Sequence, residues 1–238
     1  MIRRGLLIRE KLLYMIRLTN IRKSYQDGEG RMNQVLDGVN MDIEKGAFIA
    51  VKGPSGSGKT TLLSILGTLL QPDSGSYLFN GTELTTPGLD YASIRNKQIG
   101  FVFQDHRLMP QFSALENILL PTLAYRSKAS KEEIMYANHL LDLTHITYAA
   151  NQYPNQLSGG ESGRVAICRS LIMKPLLLLA DEPTGQLDAE NAKNIGFILS
   201  EINKTLGTTI VMVTHSNDLA SFAHQVFTLS NKNLCKSV

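Results

Sequence analysis

Cysteine is scarce. Cys168 and Cys235 are the chain's only two, too few for a disulfide framework and suited to a reducing cytoplasm in which both thiols stay free as small packing residues. Long hydrophobic runs are missing as well. The longest, Leu176–Ala180 with Leu171-Ile172-Met173 ahead of it, is broken by Lys174 and Pro175, far short of the ~20 residues that cross a bilayer. The chain is therefore not expected to span a membrane by itself. Charge of one sign is also lacking: 24 Lys and Arg against 21 Asp and Glu leave a net of +3, too mild and too scattered to argue for nucleic acid without a motif. No repeat, low-complexity block or long linker appears. What remains is 238 residues, 43% hydrophobic, enough to bury a sizeable core as one unit.

Residues 1–14, MIRRGLLIREKLLY, begin on positive charge but lead into no uninterrupted apolar core or small-residue cleavage site, so they do not read as a secretory signal. They are expected to be an extension arising from a start upstream of Met15; the alternative is a basic amphipathic helix resting on a membrane surface or partner. From residue 15 to 238, short apolar runs predict strands at Phe48–Lys52, Tyr77–Phe79, Ile99–Phe103, Leu176–Ala180 and Thr209–Val213, several unbroken as in strands buried on both faces. Helical spacing covers Thr60–Leu70, Lys131–Leu143, Gly160–Met173 and Asn191–Leu206. Alternation of the two predicts an α/β fold with a largely parallel sheet. Residues from about 105 to 173 are helical without a convincing strand, and are expected to form a helical insertion.

Gly53-Pro54-Ser55-Gly56-Ser57-Gly58-Lys59-Thr60 follows a predicted strand and opens a predicted helix, the context of a phosphate-binding P-loop. The bare pattern arises by chance in about one chain in a hundred of this length. Its glycines let backbone amides close around phosphate oxygens, the helix start adds partial positive charge, Lys59 supplies a cation and Thr60 offers a hydroxyl to Mg²⁺. Thr61, next in the helix, is placed with the same site. Downstream, the Leu176–Ala180 strand runs into Asp181-Glu182: Asp181 for the metal, Glu182 to polarise the attacking water. A second anion cradle is unexplained by one P-loop. In Asn155-Gln156-Leu157-Ser158-Gly159-Gly160-Glu161, Ser158 and the amides of Gly159 and Gly160 sit at a predicted helix start.

Leu157–Glu161, about twenty residues ahead of the LLLLADEPTG block, resembles the signature of the ATP-binding-cassette (ABC) ATPases, and the likeness covers nearly the whole chain from Met15. The resemblance implies the ABC-type P-loop fold, a mainly parallel core sheet with an antiparallel β edge and the helical insertion, with ATP and Mg²⁺ as cofactors. It also implies two copies of the chain, head to tail, the signature of one closing over ATP in the P-loop of the other. It assigns Tyr25 to stacking on adenine, Gln104 to Mg²⁺ or water and to sensing the membrane partner, Asp188 to the dimer interface, and His215 to the γ-phosphate. Catalysis would rest on Glu182, His215, Lys59 and Gln104; the metal on Thr60, Gln104 and Asp181. Two positions depart from the family's pattern: Glu161 stands where glutamine is usual, and Gly163 where glutamine is common, in a helix that Gly weakens by about 1 kcal/mol.

The segment Gln111–Ile118 resembles the region that receives a coupling helix from a membrane subunit. Tyr153–Gln156, Asp181–Gly185 and the loop from Gly28 to Gln34 look most like the lipoprotein-release, macrolide-export and cell-division subgroup. The expectation is an ATPase at the cytoplasmic face of the inner membrane, powering export or extraction through separate permease subunits, with no nucleic-acid partner. A soluble ABC ATPase acting on DNA or ribosomes is the alternative, though such proteins typically carry a second cassette or coiled-coil insertions. A GTPase is disfavoured: the pairs Asn96-Lys97, Asn203-Lys204 and Asn231-Lys232 lack the Asp two places on that reads guanine.

Overall fold

The computed structural model describes residues 14–26, 28–185 and 189–237. Two sheets form the framework. One has six strands in the order β10-β9-β3-β8-β7-β6, from β3 (Phe48–Lys52), β6 (Ile99–Val102), β7 (Leu177–Asp181), β8 (Thr209–Val213), β9 (Gln225–Ser230) and β10 (Asn233–Lys236). Its neighbours are parallel except β10, which returns antiparallel on β9. The other is a four-stranded antiparallel sheet, β2-β1-β4-β5, made of β1 (Tyr14–Gln26), β2 (Met32–Glu44), β4 (Ser74–Phe79) and β5 (Thr82–Glu83). The fold is α/β, as expected, with a mainly parallel core sheet and an antiparallel component that forms a four-stranded sheet of its own.

The unbroken apolar strands are explained by what covers each face. Phe48, Ala50, Leu178, Ala180, Ile210 and Met212 point to one core, shared with the helices. Their neighbours Ile49, Val51, Leu177, Leu179, Val211 and Val213 point to a second core beneath the antiparallel sheet. Successive side chains on a strand face opposite ways, so strands walled on both sides have no polar positions to spare.

Helices α1 (Lys59–Leu66), α2 (Tyr91–Gln98), α3 (Ala114–Leu119), α4 (Lys131–Leu143), α5 (Gly159–Leu171), α6 (Ala189–Leu206) and α7 (Asn217–Ala220) complete the fold. Reciprocal Ser–Glu caps start three of them: Ser113 with Glu116, Ser130 with Glu133, and Ser158 with Glu161, each satisfying backbone donors that the first turn leaves free. Between residues 103 and 176 the chain forms α3, α4, α5 and three short 3₁₀ turns. No described helix is long and apolar enough to cross a membrane.

Several expected bounds shift. Helix α1 ends at Leu66 rather than Leu70 because Gly67 lies against Phe101, where a Cβ would stand 2.2 Å from its ring, and Thr68 turns to φ +55°. The strand expected to end at Ala180 includes Asp181, paired with Val213. Gly100 in β6 faces α5 so closely that a Cβ would sit 2.3 Å from the Ser170 carbonyl oxygen. Gly100→Ala should destabilise by about 1–3 kcal/mol, a fall of roughly 2–12 °C in melting temperature by calorimetry; an unchanged melting temperature would show that the two elements separate freely.

Candidate active site

The P-loop leaves β3 and enters α1 as the sequence places it. Gly53, Gly56 and Gly58 carry φ of +158°, +75° and +99°, conformations that a side chain resists. Close packing adds to this: a Cβ on Gly53 would lie 2.3 Å from the Leu229 carbonyl oxygen, and one on Gly58 2.7 Å from Val35. Strands β9 and β2 thus brace the loop from behind. Lys59 curls back, its Nζ donating to the carbonyls of Gly53 and Pro54 at 2.9 Å each.

A cleft of about 420 Å³ opens here, lined by Ser55, Gly56, Gly58, Lys59, Thr60, Thr61, Gln104, Asp181 and Glu182 with Val35 and Val213. Five separate parts of the chain deliver these groups to one place: the P-loop with α1, the turn after β6, the end of β7, β2 and β8. Tyr25 near the end of β1 stands at the rim, its hydroxyl 3.4 Å from Thr61 Oγ1, and the residue is 42% exposed. Burial raises the Asp181 carboxyl above the usual aspartate range, opposed chiefly by a hydrogen bond from Thr60. Glu182 sits at φ +44° with its amide on the Val213 carbonyl at 3.0 Å. Its Oε2 accepts from the His215 amide at 3.3 Å and lies 2.8 Å from His215 Nδ1. The His215 side chain is 74% exposed and that of Glu182 only 16%, so the histidine covers a largely buried carboxylate. Gln104 packs on the turn after Glu182: its Nε2 would be 2.9 Å from a Cβ on Gly185.

The signature lies apart from this cleft. Ser158 caps α5, and Glu161 turns back on it: Oε2 accepts from the Ser158 amide and hydroxyl, each at 2.7 Å, while Oε1 accepts from the Tyr148 hydroxyl at 2.7 Å. Those hydrogen bonds, Tyr148 foremost, hold the Glu161 carboxyl below the usual range. Gly159 and Gly160 form the first turn beyond the cap. A glutamine can make the same reciprocal cap, so Glu161→Gln should leave hydrolysis within a few-fold, measured as steady-state phosphate release; loss of activity would mean the carboxylate charge itself is required. Asp188 lies outside the described residues.

Val35 and Val213, which wall the cleft, and Gly185, on which Gln104 rests, are not distinguishable in sequence from ordinary packing positions. A second groove, about 470 Å³, opens beside α2 and β6; Leu69, Phe101, Phe103 and Pro121 are among its apolar walls, with Arg95, Arg107 and Arg169 around it. None of residues 111–118 lines it.

A glycine-rich cradle at a strand-to-helix turn, with an Asp-Glu pair at the end of a parallel strand two places along the same sheet, defines a P-loop nucleotide hydrolase. The comparisons narrow this. Residues 36–185 match the ABC transporter family. A relative from Rhodopirellula baltica, lipoprotein-releasing system ATP-binding protein LolD 1, is 45% identical over 90% of this chain and 93% of its own length. The macrolide export ATP-binding/permease protein MacB of Chlorobaculum tepidum is 42% identical over 91% of this chain but 33% of its own. Among solved structures, the dimeric cassette MJ0796 bound to ADP and Pi in a post-hydrolysis state superposes with a TM-score of 0.84 at 38% identity, over 94% of this chain and 98% of that one. The chain belongs to the ABC transporter family. As a member it is an ATP-binding and ATP-hydrolysing subunit of a membrane transporter.

Proposed function

We propose that this subunit powers export or extraction of a substrate through a separate membrane permease, working as a head-to-tail pair at the cytoplasmic face of the membrane. The observation that carries the reading is the split site: the P-loop, Gln104, Asp181 and Glu182 share one cleft, while the Ser158–Gly160 cradle stands on α5 outside it. A second copy supplies the missing cradle. The relative with a TM-score of 0.84 is dimeric, which favours the same arrangement here.

Within that frame the loop amides from Gly53 to Gly58, with Lys59, Thr60 and Thr61, hold the phosphates, and Tyr25 stacks on the base. The Ser57 hydroxyl is buried without a partner, a donor suited to a phosphate oxygen. Asp181, Thr60 and Gln104 offer a carboxylate, a hydroxyl and an amide oxygen, the hard donor set that Mg²⁺ takes beside substrate phosphates. Bound there, Mg²⁺ would neutralise charge on the phosphate oxygens. Glu182 takes the proton of the attacking water, and His215 holds that carboxylate and faces the γ-phosphate. Ser158, Gly159 and Gly160 of the second copy close over the nucleotide, with Asp188 at the interface.

The matched third of the macrolide-export relative belongs to a protein named as both ATP-binding and permease, which favours a permease partner for this chain. Gln111–Ile118 is the docking region proposed for it, with the apolar groove ringed by Arg95, Arg107 and Arg169 as a further contact, and residues 105–173 are the helical subdomain that carries its motion. The lipoprotein-release and macrolide-export relatives favour export or extraction as the work done.

The test is a pull-down of tagged, ATP-loaded Glu182→Gln protein from detergent-solubilised membranes of its source. A co-purifying multi-pass chain with a large extracytoplasmic domain is expected. Recovery of soluble, ribosomal or DNA-associated chains alone would overturn the membrane assignment.

A further inference from the structure

The turn that follows β6 holds a histidine with no evident employment. His106 is 8% exposed, and neither ring nitrogen has a hydrogen-bond partner. A buried polar ring left unpaired is costly and calls for a reason. Its backbone is also unusual: His106 and Arg107 stand at φ +56° and +49°, two successive left-handed residues without glycine, a strained conformation that persists only when its surroundings impose it. Helix α5 imposes it here. Arg169 reaches across with Nη1 on the Arg107 carbonyl at 2.7 Å and Nη2 on the His106 carbonyl.

The ring itself lies against Gly163 of α5. A Cβ there would meet His106 Cε1 at 3.3 Å and Ile195 of α6 at 3.6 Å, so any side chain at this position would press on the ring. Burial lowers the imidazole's pKa, and Asp105, Arg169 and the backbone of Phe103 and Gly159 are the groups that face it. The departure at Gly163 and the buried His106 are thus two halves of one contact.

We propose that His106 is a positioning residue for hydrolysis: its ring, seated in the notch at Gly163, latches the turn carrying Gln104 to the signature helix. The ring seated on α5 lies two residues along the chain from Gln104, and Gln104 in turn packs on Gly185, whose amide donates to the Glu182 carbonyl at 3.0 Å. Displacement of α5 is thereby carried to the metal and water side of the cleft. Arg107 and Arg169 also wall the neighbouring groove, so a partner seated there bears on the same latch. The inference rests on the assignment of Gln104 to the catalytic cleft.

The test is a double-mutant cycle on the full-length chain, reading kcat, KM for ATP and equilibrium nucleotide binding. Gly163→Gln fills the notch and expels the ring; kcat should fall about tenfold with KM and nucleotide affinity within about twofold, as a misplaced catalytic group predicts. His106→Ala should cost about threefold. The double variant should be no slower than His106→Ala alone, where independent effects would multiply to about thirtyfold. Multiplication, or full activity of Gly163→Gln, overturns the latch. Should Gly163→Gln fail to fold, Gly163→Ala, whose methyl presses on the ring, should still lower kcat about two- to threefold and regain the loss when paired with His106→Ala. Gln104→Ala is the control: if it leaves kcat unchanged, the placement of Gln104 fails and the latch with it. If it slows turnover while Gly163→Gln does not, the latch alone fails.

Discussion

Glu182→Gln should remove turnover, by about 10²–10⁴-fold in kcat, while leaving ATP bound. The glutamine keeps the size and shape of the side chain, and its carbonyl oxygen can still accept from the His215 amide, now 3.3 Å from Glu182 Oε2. The strained φ of +44° and the amide bond to Val213 belong to the backbone and are untouched. Only the capacity to take a proton from water is lost. Steady-state phosphate release, nucleotide affinity and melting temperature together isolate that loss. Because hydrolysis reopens the proposed pair, the same variant should run as a dimer in ATP and as a monomer without it, by light scattering after size exclusion. Unchanged turnover would remove Glu182 from the role of base.

Lys59→Ala should have the largest effect on binding, weakening ATP by about 100-fold or more, since charge-assisted contacts to a phosphate contribute about 1.5–3 kcal/mol each. The ammonium now donates to two P-loop carbonyls. These face an open cleft where water can replace it, so the fold should keep its melting temperature while the site loses its cation. Lys59→Arg should not restore affinity: a planar fork does not fit where a compact point charge curls back on the loop. Retained affinity in calorimetric titration would show that backbone amides alone hold the phosphates.

The strands of the central sheet were legible because burial on both faces leaves continuous apolar runs, as in Thr209–Val213, where all five residues are buried. The antiparallel sheet was not, apart from Tyr77–Phe79. β1 and β2 alternate buried with exposed positions, and their pairing slips register at several points, so neither a run nor a clean period survives. Helix α3 went unread for its brevity, at six residues, and α2 because it buries none of its side chains. In the site, motif chemistry located Lys59, Asp181 and Glu182. What it could not reveal is how Gln104 and His215 approach Glu182, since that depends on three strand ends brought level by parallel register. Nor could it pair Gly163 with His106, which lie 57 residues apart in the chain (163 less 106) and touch only once α5 has docked.

That register bears on the order in which the molecule is made. β3, which carries the P-loop, has β8 and β9 as its sheet neighbours, and both lie far downstream of it, at Thr209–Val213 and Gln225–Ser230. Pairings so remote in sequence are slow to form and leave strand edges exposed meanwhile. A growing chain thus holds a complete phosphate-binding motif through all the synthesis between Thr60 and Thr209 without the neighbouring strands to mount it on. Nucleotide cannot stabilise such a chain by selective binding to the folded form until β8 and β9 arrive.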